Sequence, residues 1–351
     1  MSHQNRPRTL DSSRLDALAA WLAASIGARA VVFDQVELLS GGAIGENWRL
    51  DLSVTDGPRA GRHAWVLRTD AASRMAMSHD RASEFALIRA AAAAGVRVPE
   101  PIAVMPDAAL IGAPFMIVGH VAGSAQARRI VRDPRLPEFG DDLARSLGAE
   151  LARLHAIRPP VADLAFLALP SRPPARAAVA AMRADLDRCS EPRPALEYVL
   201  GWLDRNAPDP QGLVLAHGDF RTGNYMIDGG RLTAILDWEF AHWGDRHEDL
   251  GWFTARCWRF GADEREAGGI ARAEALYEGY ESAGGDPVDR AAMPYWRILA
   301  SARWAVVALL QGERHLTGGE TSLELLLTGM MAPEMEYDAL LGIEALEEGA
   351  R

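Results

Sequence analysis

The sequence of 351 residues contains no lysine, so all 37 of its basic side chains are arginine. Any task that usually falls to a lysine ammonium group, such as binding a phosphate, must therefore fall to a guanidinium group. Acidic residues outnumber basic ones, and the formal net charge is −11. Proteins that bind nucleic acids normally carry a basic excess or a basic stripe. We therefore expect this chain to have no nucleic-acid partner.

Cysteines and long apolar runs are also scarce. Cys189 and Cys257 are far apart and belong to no C-x-x-C motif, which is typical of free thiols in a reducing compartment. No uncharged apolar run approaches the ~20 residues that a membrane-spanning helix needs. The segment Met1–Leu10 lacks the apolar core of a signal peptide. The sequence therefore predicts a cytoplasmic protein that has no membrane partner.

The apolar pattern changes along the chain. Before residue 118 it predicts helices over 12–26 and 78–94, and short strands over 31–39, 48–54, 63–68, 102–105 and 114–118. After residue 124 it predicts helices over 139–157, 175–189, 194–206, 271–283, 294–310 and 321–331, followed by a short acidic tail. We therefore expect an α+β protein with an N-terminal lobe (1–118), a hinge (119–124) and a mainly helical C-terminal lobe (125–351).

The stretch Leu215–Asp237 concentrates side chains that handle metals or protons: Asp219, Asn224 and Asp237. After Asn224, two short apolar runs flank the turn sequence Asp228-Gly229-Gly230, which predicts a β-hairpin. A hairpin brings its two ends together, so we expect Asn224 and Asp237 to lie side by side, with Asp219 on the preceding loop. Two carboxylates and an amide suit a hard cation such as Mg²⁺. If Asp219 is not a metal ligand, it is free to act as a base.

A glycine-rich turn joins the first two predicted strands and includes Ser40, Gly41 and Gly42. Such a turn can be an ordinary hairpin loop, or it can let backbone N–H groups approach phosphates closely. It does not match the G-x-x-x-x-G-K-[ST] motif, and it does not open a helix. Arg68 ends the third strand, and Glu84 lies one turn into the next helix. Each is either exposed or paired with the other.

A buried strand runs into Gly119, His120 and Val121 at the predicted hinge. A strand that ends in a glycine-flanked link between two lobes exposes backbone N–H and C=O groups. Those groups can pair with the edge of a purine ring. The three residues are therefore candidates for binding a nucleotide base.

The segment His217–Asn224 resembles the H-G-D-x-x-x-x-N motif of the aminoglycoside phosphotransferase/choline-kinase-like family. Asp237-Trp238-Glu239 is similar to the D-F-G of protein kinases. Gly244–Leu250 is similar to the family's G-D-P-x-x-D-L, with Arg246 in place of proline. Within the family, the chain is most similar to the kinase-like domains found with acyl-CoA dehydrogenases. The resemblance covers most of residues 30–330 and implies a bilobal protein-kinase-like fold.

The resemblance implies a Mg²⁺-dependent kinase that uses ATP or GTP. In the general scheme of kinases, a catalytic-loop aspartate orients the attacking hydroxyl and accepts its proton, which is the role expected of Asp219. Asn224 and Asp237 would hold Mg²⁺ on the nucleotide phosphates. Arg221 is either an exposed loop arginine or a cation that offsets charge on the transferring phosphoryl group.

The upstream matches imply a nucleotide site. Arg68 falls at the position of the strand lysine that contacts phosphates in kinases, Glu84 at its helix partner, and Ser40–Gly45 at the nucleotide loop. An arginine is not equivalent to a lysine there, because its donor fork is wider and planar.

Several polar residues of the second half are expected to be structural. His155 and His217 are interpreted as hydrogen-bonding residues, and Asp245 and Asp249 as braces of the catalytic loop or caps of the next helix.

The acceptor is expected to be a small hydroxylated molecule. The acidic net charge permits a polycationic aminoglycoside. The tryptophans of the second half, most of which should lie in the core, could also line an apolar or acyl-bearing pocket. The resemblance to the dehydrogenase-associated domains favours a hydroxylated metabolite, such as a hydroxyacyl compound, over an antibiotic.

Two alternatives from other classes remain open. The first is a nucleotide-binding pseudokinase that acts as a regulatory module; the presence of Asp219, Asn224 and Asp237 together disfavours it. The second is a metal-dependent hydrolase that uses His217, Asp219 and Asp237, which would leave the glycine-rich turn and the upstream charges unexplained.

Overall fold

The computed structural model describes residues 10–39, 46–69, 78–317 and 320–349. The chain falls into two compact units. The first comprises residues 1–123, 162–166 and 233–240, and the second comprises residues 124–161, 167–232 and 241–351. Two short segments that follow the predicted hinge therefore belong to the first unit. The lobe and hinge boundaries assigned from the sequence stay predictions.

The first unit is built on an antiparallel sheet of five strands in the order β1-β2-β3-β5-β4. Its elements, in chain order, are α1 (Ser12–Ile26), β1 (Ala30–Leu39), β2 (Asn47–Thr55), β3 (Gly61–Thr69), α2 (Arg81–Ala93), β4 (Pro101–Met105) and β5 (Phe115–Gly119). Helix α1 begins where the Asp11 side chain accepts the Arg14 N–H group at 2.9 Å. Its buried Leu18 and Leu22 belong to one apolar core with Leu50 and Leu67 of the sheet.

Strand β3 shows how the sheet positions a charged side chain. Trp65, Leu67 and Thr69 are buried, whereas Val66 and Arg68 between them are only half-buried. Because side chains alternate between the two faces of a strand, Arg68 lies on the face opposite the core residues.

The second unit is mainly helical. Its elements, in chain order, are α3 (Ala127–Val131), α4 (Leu136–His155), α5 (Pro174–Leu186), α6 (Pro194–Arg205), β6 (Val214–Ala216), β7 (Tyr225–Asp228), β8 (Arg231–Ile235, at the unit boundary), β9 (His242–Gly244), α7 (Arg246–Thr254), α8 (Ala273–Ser282), α9 (Met293–Leu316), α10 (Leu323–Gly329) and α11 (Ala332–Gly349). Strand β6 pairs with β9, and β7 pairs with β8 in the predicted hairpin.

Helices α4 and α8 approach each other closely through two glycines. A Cβ atom added at Gly148 would collide with the carbonyl oxygen of Leu276, and one added at Gly279 would collide with that of Arg145. Any larger residue at either position would therefore push the two helices apart.

The C-terminal segment differs from the prediction, because the expected acidic tail is the helix α11. Ala332, Met335, Ala339 and Ile343 recur at helical spacing and are buried, and the helix packs against α6 and α9. Glutamates stand between these residues, and the apolar stripe was therefore not recognised in the sequence. Helix α9 also extends beyond the predicted end at residue 310, to Leu316. Strands β6 and β9 and helix α3 went unpredicted because they are too short to show a period.

In the described ranges, 10–39, 46–69, 78–317 and 320–349, no helix is both long enough and apolar enough to cross a membrane.

Candidate active site

Asp219 lies in the loop between β6 and β7 of the second unit and is 8% exposed. Its Oδ1 atom accepts the indole N–H of Trp252 at 2.9 Å and the Nε–H of Arg221 at 3.1 Å. Its Oδ2 atom accepts the amide N–H of Asn224 at 2.6 Å. Donors from three residues on two chain segments therefore fix the carboxylate in one orientation, as a group that must meet a substrate at a defined angle requires.

Asn224 is oriented by the same contact. Its Nδ2 donates to both the backbone oxygen of Asp219, at 2.9 Å, and the Oδ2 atom of that residue. Both partners are acceptors, so the amide nitrogen must face them and the Oδ1 atom points away. An amide oxygen held in this way is a ligand type that Mg²⁺ accepts.

The loop that carries Asp219 is braced by Asp249 of α7. The Asp249 carboxylate accepts the backbone N–H groups of His217 at 2.7 Å and Gly218 at 2.9 Å. His155 bonds to the same carboxylate at 3.1 Å and to the hydroxyl of Tyr280 at 3.1 Å. The expectations that Asp249 is a brace and His155 a structural residue are thus confirmed.

Burial alone would raise the pKa of Asp249, but the hydrogen bond and charge of His155 and the contacts with His217 outweigh it and lower this pKa to about 2. Asp245 has the other predicted role and caps α7. It accepts the N–H of His247 at 2.9 Å, and Glu248 accepts the Asp245 N–H at 3.0 Å.

Arg221 is not an exposed loop arginine, so that alternative is wrong. Its side chain is 26% exposed and is paired with Asp219. Its guanidinium carbon also lies 4.6 Å from the centroid of the Trp258 ring. A guanidinium group stacked on an indole loses little further freedom when it binds an anion.

The contact of Trp252 with Asp219 was not predicted from the sequence, where Trp252 was grouped with the core and pocket tryptophans. A signal was available: Trp252 follows Asp249 by three residues on α7, so both side chains lie on one face of the helix. The face that braces the catalytic loop therefore also presents the indole N–H to Asp219.

In the first unit, Arg68 and Glu84 form the predicted ion pair. The Nη1 atom of Arg68 donates to the Oε1 atom of Glu84 at 3.1 Å, and Nη2 lies 4.0 Å from Oδ1 of Asp237. Glu84 is fully buried and also bonds to Arg81. The pairing of Arg68 with Glu84 thus has the form expected of a phosphate-binding cation and its helix partner.

Glu84, Asp237 and Glu239, which we call the acidic trio, surround Arg68. Burial would lower the pKa of Arg68, yet these three carboxylates outweigh it and raise this pKa. For Glu239, burial and then the charges of Asp237 and Glu84 raise the carboxyl pKa to about 7. The repulsion among these carboxylates, which contributes to the raised pKa of Glu239, would be relieved by a bound cation.

Asp237 has an unusual backbone. Its φ is 65°, in the left-handed region that residues other than glycine rarely occupy. A conformation of this kind costs on the order of 1–3 kcal/mol and is typical of functional sites. The side chain of Asp237 remains 32% exposed, in contrast to the buried Glu84.

The predicted contacts with the nucleotide base need a correction. The N–H of Gly119 donates to Glu100 at 2.8 Å, and that of His120 donates to Ala64 at 3.0 Å. Neither N–H group is left for a purine, because strand pairing and the adjoining loop continue past Val118. Contacts of the base with the carbonyl groups of Gly119 and His120, and with Val121, stay predictions. Ser40, Gly41 and Gly42 lie outside the described residues, and the expectation that Asn224 and Asp237 lie side by side stays a prediction.

Comparison with known proteins identifies the family of the chain. The model of the phosphotransferase enzyme family (APH) matches residues 35–285. The chain therefore belongs to this family, and its kinase-like α+β fold, with an antiparallel N-terminal sheet and a helical C-terminal region, is confirmed.

Among curated proteins, the chain is 34% identical over 206 residues to acyl-CoA dehydrogenase family member 11 of Gallus gallus, a match that covers 55% of this chain and 25% of the relative. It is also 34% identical over 163 residues to an aminoglycoside 3'-phosphotransferase of Streptomyces fradiae, covering 43% and 56% of the two chains. The chain thus spans about a quarter of the first relative and about half of the second.

Two solved structures share the fold. A provisionally named aminoglycoside phosphotransferase of Ralstonia eutropha JMP134 matches with a TM-score of 0.74 at 21% identity, over 94% of this chain and 98% of the other. The GDP complex of aminoglycoside 2'-phosphotransferase-IIIa matches with a TM-score of 0.58 at 15% identity, over 94% and 99%.

Proposed function

We propose that the chain transfers the γ-phosphoryl group of ATP or GTP to a hydroxyl group of a small molecule. The observation that supports this most is the fixed carboxylate of Asp219, held by Asn224, Arg221 and Trp252. Such a group can orient an acceptor hydroxyl and take its proton, and this contribution is typically ~10²–10⁴-fold in rate. Arg221 would then offset the charge on the transferring phosphoryl group.

The nucleotide would be bound by the first unit. Arg68, oriented by Glu84, would bind the phosphates, and the turn with Ser40, Gly41 and Gly42 would cover them. Val121 and the backbone carbonyl groups near it would face the base, since the N–H groups of Gly119 and His120 are occupied. The GDP bound to the structurally similar aminoglycoside 2'-phosphotransferase-IIIa supports a nucleotide for this chain.

The proposal includes Mg²⁺, for which the available donors are suitable. Asn224 and Asp237 would hold it through an amide oxygen and a carboxylate oxygen, and it would neutralise phosphate charge. Mg²⁺ commonly takes only one or two protein carboxylates and completes its shell with phosphates and water. Among the described residues no group of three His, Cys, Asp or Glu side chains could hold a metal ion.

A thermal shift experiment with ATP and GTP, with and without Mg²⁺, tests the nucleotide half of the proposal. We expect stabilisation that depends on both nucleotide and metal. Nucleotide stabilisation that needs no Mg²⁺ would indicate a pseudokinase, and stabilisation by the metal alone would indicate a hydrolase.

Asp219→Asn tests the catalytic half, and we expect it to reduce phosphoryl transfer about 10²–10⁴-fold while nucleotide affinity stays nearly constant. Asp228→Asn, at an exposed position in the hairpin that follows the Asp219 loop, is the matched control. Equal loss of transfer and of nucleotide affinity in Asp219→Asn would mean that Asp219 is mainly structural.

A further inference from the structure

Trp252 contacts both Asp219, the proposed general base, and a second arginine, Arg303. The edge of the Trp252 ring donates to Asp219 at 2.9 Å, and its face lies 5.0 Å from the guanidinium carbon of Arg303 on α9. Trp252 is itself nearly buried, packed with Trp258 and Trp304. Trp252 therefore contacts both the Asp219 carboxylate and the Arg303 guanidinium group.

Among the described residues Arg303 has no carboxylate partner, unlike two other arginines of the same unit. Arg256 pairs with Asp263 at 3.0 Å and with Asp338 at 2.8 Å, and Arg297 pairs with Glu266 at 3.1 Å. Within the part of the chain that the structure describes, Arg303 makes no ion pair and no side-chain hydrogen bond. It is half-buried, so its charge is partly removed from water without a compensating anion.

Stacking on Trp252 leaves the guanidinium group of Arg303 able to bind an anion. The contact with Trp252 uses the face of the group, whereas its N–H donors lie around the edge. A guanidinium held in this way is preorganised for two parallel hydrogen bonds to a carboxylate or phosphate. The edge donors of Arg303 are thus available to an anion of a ligand.

Building on the phosphotransferase function proposed above, we propose that Arg303 binds an anionic group of the acceptor whose hydroxyl meets Asp219. The acceptor is then a hydroxylated carboxylate or phosphate. A polycationic aminoglycoside would bring ammonium groups towards two cations, Arg303 and Arg221. Trp252 would hold Arg303 and Asp219 at a constant separation and so select acceptors by the distance between anion and hydroxyl.

The test is calorimetric titration of the full chain, without nucleotide, with three sets of probes. These are hydroxycarboxylates of increasing chain length with their neutral amides, glycerol 3-phosphate, and kanamycin. We expect the wild type to bind at least one anion about tenfold or more tightly than its neutral counterpart, and kanamycin weakly or not at all. Preference for the carboxylates or for glycerol 3-phosphate identifies the kind of anion.

Two variants of Arg303 test whether this residue binds the anion. Arg303→Gln should weaken binding of the preferred anion about 10- to 100-fold, as expected for the loss of a charge-assisted pair, and abolish the preference over the neutral analogue. Arg303→Met, which keeps an apolar stem on Trp252, should do the same even if Arg303→Gln folds poorly. Arg314→Gln removes the same charge from the same helix and should leave anion binding unchanged.

The proposal is overturned if anions and amides bind equally, if no anion binds, if kanamycin binds most tightly, or if the Arg303 variants keep the preference. Thermal shifts with ATP and GTP on the same preparations separate these outcomes from failure of the phosphotransferase proposal. A wild type that prefers an anion but binds neither nucleotide would leave Arg303 as an anion site and remove the kinase.

Discussion

Asp249 in the second unit and Glu239 in the first are both buried carboxylic acids, but their surroundings act on them in opposite directions. Asp249 accepts two backbone N–H groups and a histidine, and its pKa falls to about 2. Burial, and then the charges of Asp237 and Glu84, raise the pKa of Glu239 to about 7. One carboxylate has its charge compensated by donors of the fold, whereas the other adds to an uncompensated excess.

The difference separates an acidic residue that stabilises the fold from acidic residues for which we propose a role in ligand binding. A buried carboxylate with a full set of donors contributes to stability and gains nothing from a cation. The acidic trio around Arg68 is less stable when fully ionised, so a cation such as Mg²⁺ would relieve the repulsion. Asp249 should accordingly matter for folding, and Asp237 for binding.

The largest expected effect is the loss of stability in Asp249→Asn. The change leaves backbone N–H groups of the catalytic loop and His155 without a charged acceptor, and we expect the free energy of unfolding to fall by about 3 kcal/mol. Urea unfolding followed by circular dichroism measures it. The matched variant Asp237→Asn removes one carboxylate from the acidic trio and should leave stability equal or slightly higher, while it weakens Mg²⁺-dependent nucleotide binding. A larger loss of stability in Asp237→Asn than in Asp249→Asn would invert the comparison.

The second effect is a dependence of stability on pH that Glu239 introduces. The ordinary pKa of this carboxyl is 4.5, and the folded-state pKa is about 7, so between these values the folded protein binds more protons than the unfolded chain. Stability should therefore fall as pH rises from about 5 to 7, by about 2 kcal/mol. Glu239→Gln should remove this slope in melting curves recorded with a chelator present. An unchanged slope in the variant would assign the titration to another group.

The smallest expected effect is a loss of kcat when the neutral hydrogen-bond donor to Asp219, the indole N–H of Trp252, is removed. Trp252→Phe keeps a ring beneath Arg303 but removes the indole N–H, and loss of a hydrogen bond to a charged group should lower kcat about tenfold. The Michaelis constant for the acceptor should change little, because the anion site is retained. Trp304→Phe, in the same aromatic cluster but without a contact to Asp219, is the control. A similar loss of kcat in both variants would show that ring packing, and not the hydrogen bond, is responsible.

Local periodicity predicted most of the fold because apolar residues repeat clearly in β3 and α4. It failed for α11, where small and apolar residues share the helix with many acids, and for strands of three residues, in which no period can appear. The assignment of Asp219 and Asn224 to one group came from a motif with fixed spacing, and these two residues do contact each other.

The remaining contacts depend on how distant segments pack. The hydrogen bond from Trp252 to Asp219 depends on how α7 is oriented about its axis. The hydrogen bonds of Asp249 to the loop help to set that orientation. The position of Glu239 beside Glu84 brings together residues that are far apart in sequence, and no local pattern records it. The occupied N–H groups of Gly119 and His120 likewise follow from the register between β3 and β5 and from Glu100.

The arginine at position 68 also affects how this chain can be detected. Reagents that tag nucleotide-binding proteins by acylating a lysine beside the phosphates need a neutral amine as the nucleophile. A guanidinium group stays protonated in proteins, and the carboxylates around Arg68 reinforce this. With no lysine anywhere in the sequence, an amine-directed proteomic survey of kinases would pass over this chain even in a cell where it is fully active.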